Sequence, residues 1–417
     1  MKSRHLTTIL SKKAESKFGR IIVLTGARQT GKTTLARRVF SNYEYLSIED
    51  PITRSDYQRL TAGQWHTLFP KAILDEVQKE PDLIESIKSV YDQYEEPRYI
   101  LLGSSQILLL DKVKESLAGR CSIYEVFPLT IPEMISSSWD DKIKPSLLQQ
   151  YILEGTLPQL PTSYSLMNGH AEGLQAFGYY LSFGGYPAIV DSAITDDERR
   201  EWLNNYIKTY LERDIRDLVN LKDLEPFVRI QKTSSLLTGT QVNYSQLARE
   251  AGIAPYTAQR FLRYLELSNQ AFLLKPWFRN NLKRLSKSPK LHYIDPGIQR
   301  AIIRKQGLLS GNEFESAVIA EVYKQISYIS FGGDLYHLRT VDGREIDLII
   351  ELENGYLAIE VKMTGRVTKT DARHLTGLEE ILDKPLLHSF VLSNDLSIKQ
   401  LAPGVLALPA ALFLSGV

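Results

Sequence analysis

Residues 26–33 read Gly-Ala-Arg-Gln-Thr-Gly-Lys-Thr, which fits the pattern G-x-x-x-x-G-K-[ST]. Its two glycines let the backbone curl so that the N–H groups point at phosphate oxygens. An apolar run at 21–24 precedes the loop and an amphipathic segment at 34–40 follows it. That order predicts a buried strand, a tight loop and a helix whose N-terminal dipole favours an anion. The motif therefore predicts a phosphate-binding loop in an α/β fold.

The loop and the residue after it supply the expected contacts to a nucleotide. We expect Lys32 to reach the β- and γ-phosphates of ATP, and the hydroxyl of Thr33 to bind Mg²⁺. The residues expected to bind nucleotide are Gly26, Ala27, Arg28, Gln29, Thr30, Gly31, Lys32, Thr33 and Thr34.

Further short apolar runs alternate with helical segments over the first third of the chain. These runs cover residues 45–48, 72–74, 99–102 and 122–126. Strands that alternate with helices indicate a parallel sheet covered by helices on both faces. We predict an ATPase core of this kind, with the parallel sheet of a P-loop NTPase, over residues 1–135.

Two carboxylates, Asp75 and Glu76, follow the apolar run at 72–74. Phosphoryl transfer needs a metal-binding carboxylate as well as a phosphate cradle. We expect Asp75 to hold Mg²⁺, together with Thr33, and Glu76 to orient or deprotonate the attacking water as a catalytic residue.

Two further catalytic candidates follow along the chain. The run at 99–102 should lie beside the carboxylate strand, so Ser105, or else Ser104, is expected to contact the γ-phosphate or the water; a plain turn is the alternative. Arg120 follows a glycine and is expected to act as an arginine finger toward the ATP of a neighbouring copy. The alternative for Arg120 is a solvated or structural arginine.

Several blocks resemble a prokaryotic family of AAA-like ATPases in which the ATPase is fused to a C-terminal region of unknown function. These blocks are residues 24–35, 46–51, 74–78 and 115–120, with residues 184–187 and a predicted helix at 206–218 that carries Tyr210, Arg213 and Asp214. The resemblance implies ATP binding and a ring-like homo-oligomer, and it implies no specific substrate. Serine stands where the broader AAA pattern has asparagine, so the choice between Ser104 and Ser105 stays open.

The middle of the chain predicts a helical connector followed by a winged helix. Residues 136–225 are expected to be a helical lid or connector, with an amphipathic helix over 198–219. Within 226–304, two short helices at 244–253 and 255–265 flank a glycine turn, as in a helix-turn-helix. A basic stretch from 275 to 290 without acidic residues follows and suits phosphate contact.

We expect polar and basic side chains of this winged helix to contact DNA. The candidates are Tyr256, Gln259, Arg260, Arg263, Arg279, Lys283, Arg284 and Lys287. The alternative is a winged helix that serves only packing or protein contact.

Residues 305–417 predict a third fold, an α/β domain that resembles the PD-(D/E)xK restriction endonucleases. Asp347 and the pair Glu360 and Lys362 fall on strands joined by a turn at 354–355, with Glu315 on the preceding helix. The carboxylates are expected to share Mg²⁺ while Lys362 stabilises charge on the water or phosphate. Glu321, the next acidic residue of the helix, is the alternative to Glu315.

Many domains keep the PD-(D/E)xK fold without cutting nucleic acid. The resemblance therefore predicts the fold, and cleavage is a separate question.

Composition limits the partners and the compartment. Fifty basic residues balance forty-nine acidic ones, so a surface for DNA has to be a local patch. A single cysteine, Cys121, excludes an internal disulfide and suits a reducing cytosol. The apolar runs are too short to span a membrane and the N-terminus lacks the features of a signal peptide, so we expect a cytoplasmic protein without a membrane partner.

Two function classes remain open at this point. One is an ATPase that acts on DNA, with a winged helix that grips and a nuclease-like C-terminal domain. The other is an ATP-dependent switch or scaffold for protein partners with silent C-terminal domains. A small-molecule kinase is disfavoured because such kinases are usually single small domains.

Overall fold

The computed structural model describes residues 1–103, 113, 115–211, 224–329 and 332–416. Its first sheet consists of short strands that are all parallel to their neighbours, in the order β2-β3-β4-β1-β5. The strands are β1 (Ile21–Thr25), β2 (Glu44–Ser47), β3 (Lys71–Asp75), β4 (Arg98–Leu102) and β5 (Cys121–Glu125). The parallel sheet predicted from the alternating apolar runs is confirmed.

Helices cover this sheet on both faces. They are α1 (His5–Glu15), α2 (Lys32–Val39), α3 (Pro51–Gln58), α4 (Ala62–Leu68) and α5 (Leu83–Gln93). All five residues of β1 are buried. Ile22 and Leu24 belong to one core cluster, whereas Ile21 and Val23 belong to another. Because successive side chains of a strand point to opposite faces, an unbroken apolar run is what a doubly covered strand requires.

A helical region follows the first sheet. It contains α6 (Ile131–Ile135), α7 (Leu147–Glu154), α8 (His170–Phe183) and α9 (Asp196–Tyr206). The amphipathic helix predicted over 198–219 begins at Asp196 and changes to a π-helical turn at Ile207–Leu211. Residues 212–223, which include Arg213 and Asp214 of the family-like block, lie outside the described residues.

Three helices and three antiparallel strands form the next unit. The helices are α10 (Glu225–Leu236), α11 (Tyr244–Ala251) and α12 (Pro255–Leu267), and the strands are β6 (Thr240–Gln241), β7 (Ala271–Pro276) and β8 (Lys290–Tyr293). Strand β8 pairs with both β6 and β7. Gly252, at a φ of 67°, ends α11 in the left-handed conformation that glycine tolerates best. The predicted helix, glycine turn and second helix are therefore present.

The remaining elements complete a mixed sheet of nine strands among the described residues, in the order β13-β14-β12-β11-β10-β9-β7-β8-β6. They are α13 (Asn281–Ser286), α14 (Pro296–Ile302), α15 (Gly311–Ser327), β9 (Leu335–Arg339), β10 (Glu345–Leu352), β11 (Gly355–Lys362), β12 (Leu386–Ser393), β13 (Lys399–Ala402), β14 (Val405–Pro409) and α16 (Ala410–Ser415).

One strand pair joins the two segments that the sequence divides at residue 304. Strand β7 runs parallel to β9, with Lys275 aligned to Tyr336 and Pro276 to His337. The backbone N–H of Trp277 continues the pairing by donating to the carbonyl of His337 at 2.6 Å. The boundary at 304 therefore lies between α14 and α15, while the sheet runs through both segments.

No helix in the described ranges is long and apolar enough to cross a membrane.

A pH-dependent stability follows from His337, which is buried in β9. Burial is the largest cause that lowers its pKa, to about 4 from an ordinary 6.5. The imidazole of His337 thus binds a proton more weakly in the folded chain than in the unfolded chain. The contribution of neutral His337 to the free energy of unfolding is fully present above pH 6.5. We expect up to about 3 kcal/mol of this contribution to be lost as the pH falls toward 4.

Urea unfolding at a series of pH values measures this effect. The His337→Leu variant should lose less stability than the wild type between pH 6.5 and 4. The His66→Leu variant, at a partly exposed histidine, should keep the wild-type dependence. Equal pH dependence in the wild type and His337→Leu would contradict the assignment.

Candidate functional site

The loop at 26–33 connects the end of β1 to the start of α2. Gly26 and Gly31 have φ angles of 130° and 92°, which residues with a side chain rarely adopt. A Cβ atom at Gly26 would also lie 2.4 Å from the carbonyl oxygen of Val126. The hydroxyl of Thr30 donates to the carbonyl of Ala27 at 2.9 Å and closes the turn. The backbone conformation therefore explains why glycine stands at both positions.

Lys32 begins α2 and lies back over the loop. It is buried, and its Nζ atom donates to the carbonyls of Gly26 at 2.9 Å and Ala27 at 2.7 Å. The ammonium and the N-terminus of α2 thus face the same small volume, where positive charge favours a phosphate.

The carboxylate of Asp75 links the second half of the site to the loop. Its Oδ2 atom accepts hydrogen bonds from the hydroxyls of Thr33 at 2.7 Å and Tyr45 at 2.8 Å. Burial and the bond to Asp75 raise the pKa of Tyr45, so the phenol remains a donor. A hydroxyl and a carboxylate are hard oxygen ligands, which suit Mg²⁺ with its retained waters and phosphate oxygens.

Sequence reasoning missed Tyr45. The one sequence feature that could have indicated a role for Tyr45 is its place in an apolar run, which forms the strand parallel to the one that ends in Asp75.

Glu76 follows Asp75 in a left-handed conformation, with a φ of 59°. A residue with a side chain adopts this conformation at a cost of order 1 kcal/mol, and such positions concentrate at functional sites. The backbone N–H of Glu76 donates to Asp75 Oδ1 at 3.0 Å, and the amide of Gln78 donates to its carboxylate. The side chain is thereby held at the tip of β3.

Strand β4 lies between β3 and β1, as predicted for the run at 99–102. Leu101 is aligned with Leu74 on one side and with Val23 on the other. The N–H of Gly103 donates to the carbonyl of Leu24 at 3.2 Å, which brings the end of β4 to the start of the loop. Ser104 and Ser105 lie outside the described residues.

Arg120 lies at the other end of the sheet. It precedes β5, whose first residue, Cys121, is aligned with Ile21 at the start of β1. Its guanidinium forms an ion pair with Asp92, at 2.8 Å from Nε to Oδ1. Since the loop leaves the far end of β1, this arginine faces away from the nucleotide site of its own chain.

Two side chains from outside the motif hold the loop, and sequence reasoning missed both. Arg4 donates to the carbonyl of Thr30 at 3.0 Å and forms an ion pair with the buried Glu133 at 3.3 Å. Tyr206, the last residue of α9, donates to the carbonyl of Arg28 at 3.0 Å. Tyr206 in turn accepts from Tyr186, one of the residues of the Gly-Gly-Tyr-Pro block. The helical region therefore touches the phosphate loop directly.

A second polar cluster lies in the nine-stranded sheet, and we call it the carboxylate cluster. The residues predicted for a nuclease-like site line one cavity of about 340 Å³, together with neighbours that the sequence analysis did not select. The cluster consists of Lys290, Glu315, Glu345, Asp347, Glu360, Lys362 and His374.

Strand register brings the predicted pair of carboxylates together. Strands β10 and β11 align Leu348 with Ile359, which sets Asp347 across from Glu360. The N–H of Val361 donates to Asp347 Oδ2 at 2.8 Å, and Lys362 lies 2.6 Å from a Glu360 oxygen.

The two candidate glutamates of α15 lie in different surroundings. Glu315 faces the cavity. Glu321 instead accepts from the backbone N–H of Ile131 at 2.7 Å and pairs with Lys324 at 2.7 Å. Glu321 is therefore a packing residue between α15 and the first third of the chain.

Burial and the charge of Asp347 raise the pKa of both Glu315 and Glu360. Burial alone would lower the pKa of Lys290, but the surrounding carboxylates raise it above its ordinary value. Within the described part of the chain, no group of three or more His, Cys, Asp or Glu side chains is arranged to hold a metal ion.

Most of the predicted DNA-contacting side chains are exposed. Tyr256 is 76% exposed, and Gln259, Arg260 and Arg263 share the exposed face of α12, although Arg263 lies 3.4 Å from Glu266. Arg279, Lys283 and Lys287 are exposed between β7 and β8.

Arg284 departs from the prediction, because it is only 9% exposed. Its guanidinium pairs with Glu351 at 3.4 Å and Asp383 at 3.6 Å, and its Nε donates to the carbonyl of Phe278. The sequence pattern predicts that the guanidinium of Arg284 contacts DNA, but this group forms ion pairs within the protein. Arg284 is therefore left out of the proposed interface.

The contact from α9 to the loop generates a prediction for Tyr206→Phe. Loss of the hydrogen bond to Arg28 removes about 1 kcal/mol of support for the loop, so the affinity for ATP should fall about fivefold. Titration with a fluorescent ATP analogue measures it. Tyr186→Phe keeps the bond from Tyr206 to the loop and should bind within about twofold of the wild type, by the same reasoning. Unchanged binding by Tyr206→Phe would show that the loop does not need this contact.

Comparison with known proteins agrees with the geometry of the first site. Residues 19–135 match the AAA domain family. Residues 174–308 match the domain of unknown function DUF8612, and residues 310–413 match the domain of unknown function DUF4143.

Two relatives are uncharacterized proteins of Mycobacterium tuberculosis and Mycobacterium bovis. Each is 28% identical over 360 residues, which is 82% of this chain and 70% of the relative.

Among solved structures, a Walker-type ATPase of Pyrococcus abyssi aligns with a TM-score of 0.45 at 16% identity, over 70% of this chain and 94% of that chain. A signal transduction ATPase with a tetratricopeptide repeat sensor, from Pyrococcus horikoshii, aligns with a TM-score of 0.28 at 13% identity, over 75% of this chain and 44% of that chain. The three family matches show that the chain carries an AAA-type P-loop ATPase domain, followed by two domains of unknown function.

Proposed function

We propose that this protein binds ATP·Mg²⁺ at residues 26–34 and hydrolyses ATP with Lys32, Asp75 and Glu76. One observation carries the proposal: Asp75 is hydrogen-bonded to Thr33 at 2.7 Å, so the phosphate loop and the carboxylate strand form one site. The match of residues 19–135 to the AAA domain supports ATP binding by this part of the chain.

Each side chain has a separate task in this proposal. The loop N–H groups and Lys32 hold the phosphates, and Thr33 and Asp75 hold Mg²⁺, which would neutralise charge on the phosphates. Glu76, fixed by its left-handed turn and by Gln78, accepts a proton from the attacking water. Ser105, or Ser104, remains the candidate contact to the γ-phosphate from the end of β4.

Arg120 supports a proposed ring-like homo-oligomer. Its position at the opposite end of the sheet removes it from the nucleotide of its own chain, and its ion pair with Asp92 leaves it about a third exposed. We propose that it reaches the ATP of a neighbouring copy as an arginine finger.

DNA is the proposed partner. The unit formed by α10, α11, α12 and the β6-β8-β7 sheet has the helix and strand order of a winged helix, with α12 as recognition helix. The exposed side chains of α12, together with Arg279, Lys283 and Lys287, form the proposed contact surface.

The proposed organisation follows the predicted segments: a core at 1–135, a helical connector at 136–225, a winged helix at 226–304 and a nuclease-like domain at 305–417. The opposed Asp347 and Glu360, with Lys362 beside them, support a fold of the PD-(D/E)xK kind in the last segment.

An ATP-dependent switch or scaffold for protein partners is the second candidate. Two observations favour it: Arg284 is engaged within the protein, and the ammonium of Lys290 lies among the carboxylates that a nuclease would use for metal. Under this reading the C-terminal domains are catalytically silent.

Two variants test the ATPase proposal. Lys32→Ala should lose nucleotide binding, because it removes the charge over the loop. Glu76→Gln should bind ATP but hydrolyse it about 100-fold more slowly or worse, the usual effect of losing a general base. Equilibrium binding and phosphate release measure the two steps, and Lys12→Ala, an exposed lysine of α1, is the control. Wild-type turnover by Glu76→Gln would remove Glu76 from the mechanism.

A further pair of variants separates the two partner classes. Double-stranded, single-stranded and branched DNA should stimulate hydrolysis, and Lys283→Ala/Lys287→Ala should reduce the slope of log affinity against log salt by about 2. Lys12→Ala/Lys71→Ala makes the same charge change on the first domain and should keep the wild-type slope. If no DNA changes the rate of ATP hydrolysis and no salt-sensitive DNA binding is found, the results would favour the protein switch.

A further inference from the structure

Lys290 of β8 occupies the centre of the carboxylate cluster. Its Nζ atom lies 2.8 Å from Glu345 Oε1, 2.9 Å from Glu315 Oε1 and 3.4 Å from Asp347 Oδ1. The side chain is almost fully buried, since the residue is 2% exposed. Oxygens from helix α15 and from strand β10 of the same sheet thus converge on one ammonium, as ligands converge on a cation.

The cluster also contains an oxygen that lacks a donor. Glu360 is 2% exposed, and its Oε1 atom has no hydrogen-bond partner among the described residues, although His374 Nδ1 lies 3.7 Å away. The carboxylates of Glu315, Glu345, Asp347 and Glu360 share the cavity with three cationic side chains, Lys290, Lys362 and Arg339. A buried carboxylate is costly unless a cation pairs with it, so the cavity favours a positive charge beside Glu315 and Asp347.

We infer that Lys290 is a tethered cation that takes the place of a divalent metal ion in this site, so that the ammonium and a metal exclude one another. The oxygens of Glu315 and Asp347 that contact Lys290 are the hard ligands that Mg²⁺ or Mn²⁺ would need. A divalent ion bound to the same carboxylates would lie within a few ångströms of a buried ammonium, where like charges repel strongly.

Strand pairing keeps the ammonium in place. Strand β8 is bonded to β7, and β7 is bonded to β9 of the same sheet that presents Asp347 and Glu360. Lys290 cannot withdraw with its strand unless these ladders open. The intact chain is therefore closed to metal at this cluster, whether or not DNA is the partner.

Manganese binding to the full chain without nucleotide tests the inference, by titration calorimetry and by the electron paramagnetic resonance signal of free Mn²⁺. Lys290→Met should gain one Mn²⁺ site at least tenfold tighter than any site of the wild type. The double variant Lys290→Met/Asp347→Asn should lose that site. Lys287→Met, an exposed lysine three residues away, should gain nothing, and Lys290→Arg should exclude the metal as the wild type does.

Two results would overturn the inference: Lys290→Met that gains no site, or a wild-type Mn²⁺ site that disappears with Asp347→Asn. If Lys290→Met does not fold, the wild type and Asp347→Asn alone decide. Equal Mn²⁺ binding by these two folded proteins supports a cluster closed to metal, and weaker binding by Asp347→Asn refutes it.

Discussion

Helix α15 is the element on which the rest of the described structure depends, because thirteen of its seventeen residues are buried. Buried backbone and charged groups must be satisfied from within the protein. Glu321 accepts from the N–H of Ile131, Lys324 donates to the carbonyl of Leu129, and Ala317 accepts from the hydroxyl of Tyr180. These bonds attach the ATPase domain and the helical region to the same helix that carries Glu315 into the carboxylate cluster.

The nucleotide site depends on a different constraint, the parallel sheet. Parallel strands end at one edge, so the loop after β1 and the carboxylates after β3 meet there, with the end of β4 between them. The loop is also held from outside the sheet by Arg4 and Tyr206. Since Tyr206 ends α9 where the helix changes to a π-turn, the helical region touches the loop at an irregular point of its own backbone.

In the C-terminal sheet, ion pairs between distant segments change which side chains of a sequence motif are available to a ligand. The carboxylates and the lysine of the predicted nuclease-like site are adjacent, yet a second lysine from β8 enters the same cavity. Likewise, Arg284 belongs to a basic stretch in sequence but pairs with Glu351 and Asp383 in space. In both cases the tertiary fold brings carboxylates from a distant segment to a basic side chain. The resulting ion pair occupies a positive charge that the local sequence suggests is free to bind a ligand.

The sequence by itself determined the features whose physics is local. The glycine loop and the run before Asp75 predicted their strands, because a doubly covered strand must be apolar throughout and a phosphate loop must bend at glycine. The helix, glycine turn and helix at 244–267, and the opposed strands of Asp347 and Glu360, followed from the same kind of spacing.

Only the tertiary structure decided the contacts between segments far apart in the chain. It brought Tyr45, Arg4 and Tyr206 to the nucleotide site, and it chose Glu315 over Glu321 for the carboxylate cluster. Arg284 and Lys290 lie within one basic stretch, and that stretch does not show that both side chains turn inward. Their direction depends on which strand pairs with which, and no local pattern encodes that choice.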